Sequence, residues 1–289
     1  MIARVLFAAV ALGVCSEAWA EPLRVQGSAT FARALEAAAP AIKEELDIDL
    51  KINATSGSSA AIAAAGMGAV DLAIVTREVT GEDRSQFPSN RMSDVQIGMQ
   101  VLVPIVSRET WDAGVKSISR SDFVLIYERE IRNWSKLGAQ DLEVKFFNPE
   151  RERGVWELFA TWLYEDIRKA PPGKKWEVVL TDRDARNAVE FATGAISLAA
   201  SQWADGKKIM ALPVRDGDSP LVEATEENFF NGKWPMARPL ILVTGDKPTG
   251  RVRKVMEFMC GPKGKAALEG AEFLQLPDAE KRVKEMLNR

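Results

Sequence analysis

Twice near its N-terminal end the chain runs from a short alternating strand through a glycine–serine turn into an alanine-rich helix. No other feature narrows the fold so much. Leu23, Arg24, Val25 and Gln26 alternate like a half-buried strand and lead into Gly27-Ser28-Ala29-Thr30-Phe31. The segment that follows, ARALEAAAPAIKEEL, places Phe31, Leu35, Ala38 and Ile42 on one helical face. The second unit repeats the plan with LKINA, the turn Ser56-Gly57-Ser58-Ser59 and the helix AAIAAAGMG, and closes with the strand VDLAIV leading to Thr76-Arg77. Helix N-termini offer unpaired N–H groups and partial positive charge. Two such starts at the carboxyl ends of successive strands are expected to face one crevice. Ser or Thr at these places also caps helices without any ligand, so Ser28 reads as a cap and Thr30, Ser58 and Ser59 as candidate oxyanion contacts. Asp71 is awkward company, because a carboxylate repels an anion unless the ligand brings a proton to donate.

The rest of the chain is αβ throughout. Residues 96–106, QIGMQVLVPIV, form a near-continuous apolar run, the mark of a fully buried strand or one crossing between lobes. A helix is predicted over 121–127, a strand over 144–147 with the exit loop NPERERG, and a helix, VWELFATWLYEDI, that ends before Pro171-Pro172. Further on come a helix over 182–192, strands over 194–200, 208–214 and 238–243, and helices over 252–259, 263–269 and 279–287. Trp134, Trp156 and Trp162 read as core packing, and Cys260 as a small buried hydrophobe.

Composition excludes more than it suggests. The 289 residues contain no histidine, which removes Ser-His-Asp and Cys-His catalysis and the usual zinc ligand sets. No metal-ligand cluster and no cofactor motif occurs, so the chain reads as a binding protein and not as an enzyme. A net charge of −3 argues against non-specific nucleic-acid binding. At the N-terminus, Arg4 precedes an apolar run over 5–14, and Ala18-Trp19-Ala20 has the small-x-small pattern of a signal-peptidase site. Residues 1–20 therefore read as an export signal, with no later segment suited to spanning a membrane. A minor alternative makes Leu12-Gly13-Val14-Cys15 a lipoprotein processing site. With the leader removed only Cys260 remains, so no internal disulfide is expected.

The motifs GSATF, SGSS, AVDLAIVTRE, LIYEREIRNWSKLG, GAISLAA, NGKWPMARPL and CGPKGKAALEGAEFLQLP, in that order, resemble the PstS-like phosphate-binding proteins, the solute receptors of ABC importers. The resemblance covers essentially the whole chain beyond the leader. It implies an α/β, type II periplasmic-binding-protein fold with two αβ lobes and a ligand cleft between them. The lobes would be 21–100 with 203–289, and 101–202. It implies that Ala29, Thr30 and Phe31 form a first phosphate loop and Ser58 and Ser59 a second. It further implies that Asp71 accepts a hydrogen bond from a protonated phosphate oxygen, which would exclude sulfate, and that Arg77 sits near the cleft. The second lobe departs from the pattern. Pro149 stands where the family has an arginine, and Arg153-Gly154-Val155 where it has Ser-Gly-Thr. Arg151 and Arg153 put guanidiniums nearby, and Arg153 with Gly154 is the expected remnant of this half-site.

What the resemblance implies is a periplasmic, monomeric receptor that captures phosphate or a related tetrahedral oxyanion and delivers it to ABC permease subunits. The altered loop keeps a second reading open: a sensor or accessory protein of the same fold with an altered or lost phosphate site.

Overall fold

The structure is a computed structural model that describes residues 21–89, 91–151, 154–171 and 176–288. The leader read over residues 1–20, with Cys15, lies outside the described residues, and so does Arg153.

The strands are β1 (Leu23–Gly27), β2 (Leu50–Asn53), β3 (Leu72–Val75), β4 (Ser93–Ser107), β5 (Ile118–Ser119), β6 (Lys145–Pro149), β7 (Glu177–Val179), β8 (Ala195–Ala200), β9 (Ile209–Ala211), β10 (Val214–Arg215), β11 (Ala237–Thr244) and β12 (Leu274–Gln275). The α-helices are α1 (Ala29–Leu46), α2 (Gly57–Gly66), α3 (Gly81–Ser85), α4 (Arg108–Asp112), α5 (Arg120–Tyr127), α6 (Gly154–Tyr164), α7 (Asp182–Phe191), α8 (Glu226–Phe230), α9 (Gly250–Cys260), α10 (Pro262–Gly270) and α11 (Ala279–Asn288). The predicted elements are present with ends shifted by up to three residues. The strand expected over 208–214 is two short strands, β9 and β10.

One sheet runs β2-β1-β3-β11-β4-β8-β6-β7, with β9 and β12 also pairing to β4. The strand–helix repeat gives the parallel pairs β1–β2 and β1–β3, and β6 pairs in parallel with both β7 and β8. Between these parallel blocks, β11 and β4 run antiparallel to each other. The 15 residues of β4 serve both blocks. Residues 93–101 pair with β11, and residues 102–106 pair with β8. A strand flanked on both sides and covered on both faces must be apolar nearly throughout, which is why this segment reads as a near-continuous hydrophobic run.

Just after residue 203, where a return to the first lobe is expected, β9 pairs with the second part of β4 and β10 with β5. The strands involved are too short to show their partner by periodicity.

One apolar core runs through both halves. In the first, Phe31, Leu35, Ala38 and Ile42 of α1 are buried as their spacing requires. In the second, Phe123, Phe146, Phe159 and Trp162 meet with ring centroids 4.9–6.5 Å apart, and Trp134 anchors through its indole N–H to the Gly194 carbonyl at 2.8 Å. Trp156 and Cys260 are buried as well. Gly27 is dictated by close approach: a Cβ there would lie 1.8 Å from the Ile74 carbonyl oxygen on β3, so any side chain would push β1 off its neighbour.

Candidate functional site

At the carboxyl ends of β1 and β3 the two repeat units meet. Ser28 occupies the N-cap position of α1, yet its hydroxyl makes no cap hydrogen bond. It accepts instead from the Thr76 hydroxyl at 3.4 Å. Ser58, in the first turn of α2, accepts from the Thr76 amide at 3.1 Å. A string of hydroxyls, Ser28, Thr76 and Ser58, thus ties the start of α1 to the start of α2. The N-cap residue of α2, Ser56, makes no side-chain cap either, and its hydroxyl is buried without a partner. By contrast, Thr80, Ser107, Ser119, Thr181 and Thr225 all cap their helices through side-chain oxygens. Helices α9 and α10 also start without a side-chain cap. The first intrahelical bond of α1 is from Ala32 to Ser28, so the amides of Ala29, Thr30 and Phe31 have no acceptor within the helix. Ser28 is therefore not the side-chain cap expected of it, because Thr76 holds its hydroxyl.

The start of α1 faces the start of α6 across a cavity of about 240 Å³ lined by Ala29, Thr30, Arg33, Gln100, Gly154 and Val155. Arg238, near the beginning of β11, organises this place. Its Nη2 donates to the Thr30 hydroxyl at 2.9 Å and to the Gly154 carbonyl at 3.3 Å. Its Nη1 donates to Glu157 at 3.0 Å and its Nε to the Gln100 side-chain oxygen at 2.8 Å. The β-ladder explains the last contact, since Arg238 and Gln100 are cross-strand partners on β11 and β4. One guanidinium, only 14% exposed, therefore joins both central strands to both facing helix starts. Gly154 is glycine because a Cβ there would sit 2.4 Å from Arg238 Nη2 and 2.7 Å from Thr30 Oγ1.

The electrostatics favour an anion. Burial pulls Arg238 below the usual arginine range, Glu157 pushes it back up, and the positive charge of Arg33 adds to the lowering. Arg33 donates to the Ala271 carbonyl and lies over the Phe273 ring. Among the described residues no carboxylate forms an ion pair with it. Arg238 thus has one carboxylate partner and Arg33 none among the described residues, and the surrounding donors are neutral amides and hydroxyls.

The residues expected from sequence do not all gather here. Ala29, Thr30 and Gly154 line the cavity. The Phe31 side chain is buried in the core, so only its amide belongs to the helix start. Ser58 joins through the hydroxyl string. Ser59 accepts from Arg77 at 3.1 Å, and Arg77 forks onto Asp83 at 2.7 and 2.9 Å. Ser59, Arg77 and Asp83 line a separate depression outside α2, so Arg77 acts there as a structural cation. That pairing, with backbone and side-chain bonds from Thr80, holds the Asp83 carboxyl far below its ordinary range.

Asp71 must be corrected. It lies at the entry to β3, and its carboxylate accepts from the Arg24 amide at 2.7 Å and from the Arg24 guanidinium at 2.9 and 3.2 Å. The uncapped helix starts stand at the exit end of the same parallel strands. Four residues of strand, at roughly 3.3 Å each, separate the two ends, so Asp71 cannot reach a ligand seated at the start of α1. Its partner is Arg24. On the second side, Val155 is buried and apolar where a hydroxyl was expected, and Arg151 stacks on Trp156 at 4.7 Å.

Arg33, Gln100, Glu157 and Arg238 are the residues that the sequence alone does not single out. A signal existed for one pair: Gln100 is the polar interruption inside the apolar run of β4, and such a residue needs a buried partner. Arg33 falls one turn after Thr30 on the same face of α1. Among the described residues no group of three or more His, Cys, Asp or Glu could hold a metal ion, and no helix is long and apolar enough to cross a membrane.

Comparison with known proteins agrees with this architecture. The family model described as PBP superfamily domain matches residues 16–263. The phosphate-binding protein PstS of Bacillus subtilis is 25% identical over 240 residues, 82% of this chain and 74% of that protein. A possible phosphate-binding protein from Planctomyces limnophilus superposes with a TM-score of 0.79 at 17% identity, covering 93% of this chain and 98% of the other. PstS from Borrelia burgdorferi superposes with a TM-score of 0.67 at 21% identity, covering 89% and 99%.

Proposed function

The chain belongs to the PBP superfamily, with the two-lobed αβ fold of type II binding proteins, and from that premise we propose that it captures phosphate or a related tetrahedral oxyanion. The observation that carries this reading is the cavity between α1 and α6. Arg33 lines it, Arg238 bonds to three of its lining residues, Thr30, Gln100 and Gly154, and the uncapped start of α1 aims amides the same way. A small anion satisfies both needs at once: charge for the arginines and acceptors for the N–H groups. The names of the similar proteins, phosphate-binding PstS among them, support the same ligand class.

In this reading the ligand contacts are Ala29, Thr30 and Phe31 through the first turn of α1, Ser58 through the hydroxyl string, and Gly154 at the start of α6. Arg238 takes the part expected of an arginine in the second-lobe loop, where Pro149 stands. Arg153 stays in this reading on the resemblance alone. The two lobes are 21–101 with the segment from about 223 onward, and 102–222, since β9 and β10 stay with the second lobe. Binding draws the lobes together through contacts available only when both reach the anion. The protein is a solute receptor without catalytic activity, exported by its leader to the periplasm, where it serves ABC permease subunits as a monomer.

Calorimetric titration of the protein lacking residues 1–20 with phosphate, arsenate and sulfate tests this directly. Saturable heat with phosphate is expected. No heat and no thermal shift at millimolar ligand overturns it. A second reading, a sensor or accessory protein with a weakened site, draws on Val155, an apolar side chain where a hydroxyl donor was expected. Phosphate binding too weak to saturate below millimolar concentrations favours that reading.

A further inference from the structure

Among the described residues Glu157 is the one carboxylate that reaches the guanidinium at the centre of the site, and it comes from the opposite lobe. It sits in the first turn of α6, 56% exposed, and accepts from Arg238 Nη1 at 3.0 Å. Arg238 itself is held on the first-lobe side by Gln100 and Thr30. The ion pair therefore spans the cleft, backed by the bond from Arg238 to the Gly154 carbonyl. Arg238 is nearly enclosed and needs a counter-charge. Glu157 supplies it from a position open enough to solvent for the side chain to swing away. Its occupancy of the guanidinium is thus conditional.

We propose that Glu157 is an internal surrogate for the ligand: its carboxylate holds the lobes together on Arg238 when no oxyanion is bound, and an entering oxyanion displaces it. The second half of this inference rests on the oxyanion reading above; the first does not. The affinity of the site is then set by a competition between two anions for one guanidinium, with Arg33 adding attraction for whichever is present. A dianion gains more from the two arginines than one carboxylate does, whereas a singly charged anion gains little over Glu157. Discrimination by charge would come from this residue and not from an acceptor for a ligand proton.

The test uses the chain without residues 1–20 as wild type, Glu157→Gln, which keeps an acceptor but no charge, and Glu157→Ala, which keeps neither. Glu226→Gln on α8 serves as a charge-matched control. Small-angle scattering without ligand reads the clasp. The radius of gyration is expected to rise in the order wild type, Gln, Ala, and to match wild type in the control. Unchanged scattering in both Glu157 variants overturns the proposal. Calorimetry with inorganic phosphate reads the competition. Glu157→Gln is expected to bind roughly ten-fold tighter than wild type, the gain from removing a rival and a like charge. Equal or weaker binding by Glu157→Gln, with wild type binding normally, overturns the displacement. If no form binds phosphate, the ligand assignment falls, and the scattering alone decides whether Glu157 clasps the lobes.

Discussion

The two walls of the cavity are made from different chemistry. The first-lobe wall is a helix start: amides without acceptors, the hydroxyl of Thr30, and a second hydroxyl string reaching α2. The second-lobe wall offers a glycine and a buried valine, with the Glu157 carboxylate reaching Arg238 beside them. Positive charge comes from the first-lobe side, from Arg33 on α1 and, chiefly, from Arg238 near the start of β11. The first wall can be built by local sequence, because a turn and a helix start are made within a few residues. The second depends on a contact between β11 and β4, segments far apart in the chain. A change in the α6 loop that removes an arginine can thus be offset from a place that no local motif reveals.

The comparison breaks most sharply at Arg238. Arg238→Met should weaken phosphate binding by about a hundred-fold or more, and Arg238→Lys by about ten-fold, since an ammonium keeps the charge but loses the fork. Equal affinities in calorimetry would return the binding charge to the α6 loop. Next in size is Gly154→Ala. Its methyl group would meet Arg238 Nη2 and Thr30 Oγ1, both movable tips, so the fold should survive while phosphate affinity falls by roughly five-fold. Melting temperature and titration together separate those effects.

Asp71→Asn should leave both phosphate affinity and the preference over sulfate unchanged, because the carboxylate faces Arg24 at the far end of the sheet. A relaxed preference would put Asp71 back at the ligand. The smallest effect concerns Asp83. Its folded-state pKa is depressed by Arg77 and Thr80, so the stability it contributes is present above the ordinary aspartate value and lost only as pH falls through the lowered one. The difference in melting temperature between wild type and Asp83→Asn should hold steady from pH 7 to about 4 and shrink only in stronger acid. Phosphate affinity should not follow it.

These contrasts mark what the sequence could tell. The strand–turn–helix repeat, the apolar run of β4 and the facial pattern of α1 are local periodicities, and each corresponds to an observed element. Thr30 is readable from a helix start at a strand end, whereas Gly154 comes only from the resemblance. A motif match for Asp71 ignores direction: the residue enters β3 and pairs with Arg24, while the uncapped helix starts stand where the strand exits. Glu157 and Arg238 were not legible, since an ion pair bridging residues 81 positions apart depends on how two lobes meet. Arg77, expected near the cleft, has a stronger claim on it from Asp83 six residues later.

The long strand β4 has a bearing on how the molecule is made as well as on how it moves. Neither lobe can complete its sheet without its share of these 15 residues, so a fragment cut between Val101 and Leu102 would leave each piece with unpaired backbone along an apolar edge. Ribosomal synthesis delivers β4 well before β8 and β11, its partners on either side. Until those arrive the strand is a sticky, half-satisfied ribbon. Unfolding should then be a single cooperative event without a separately stable lobe, with one calorimetric transition. The same shared strand that lets two lobes flex about one seam also denies either of them an independent existence.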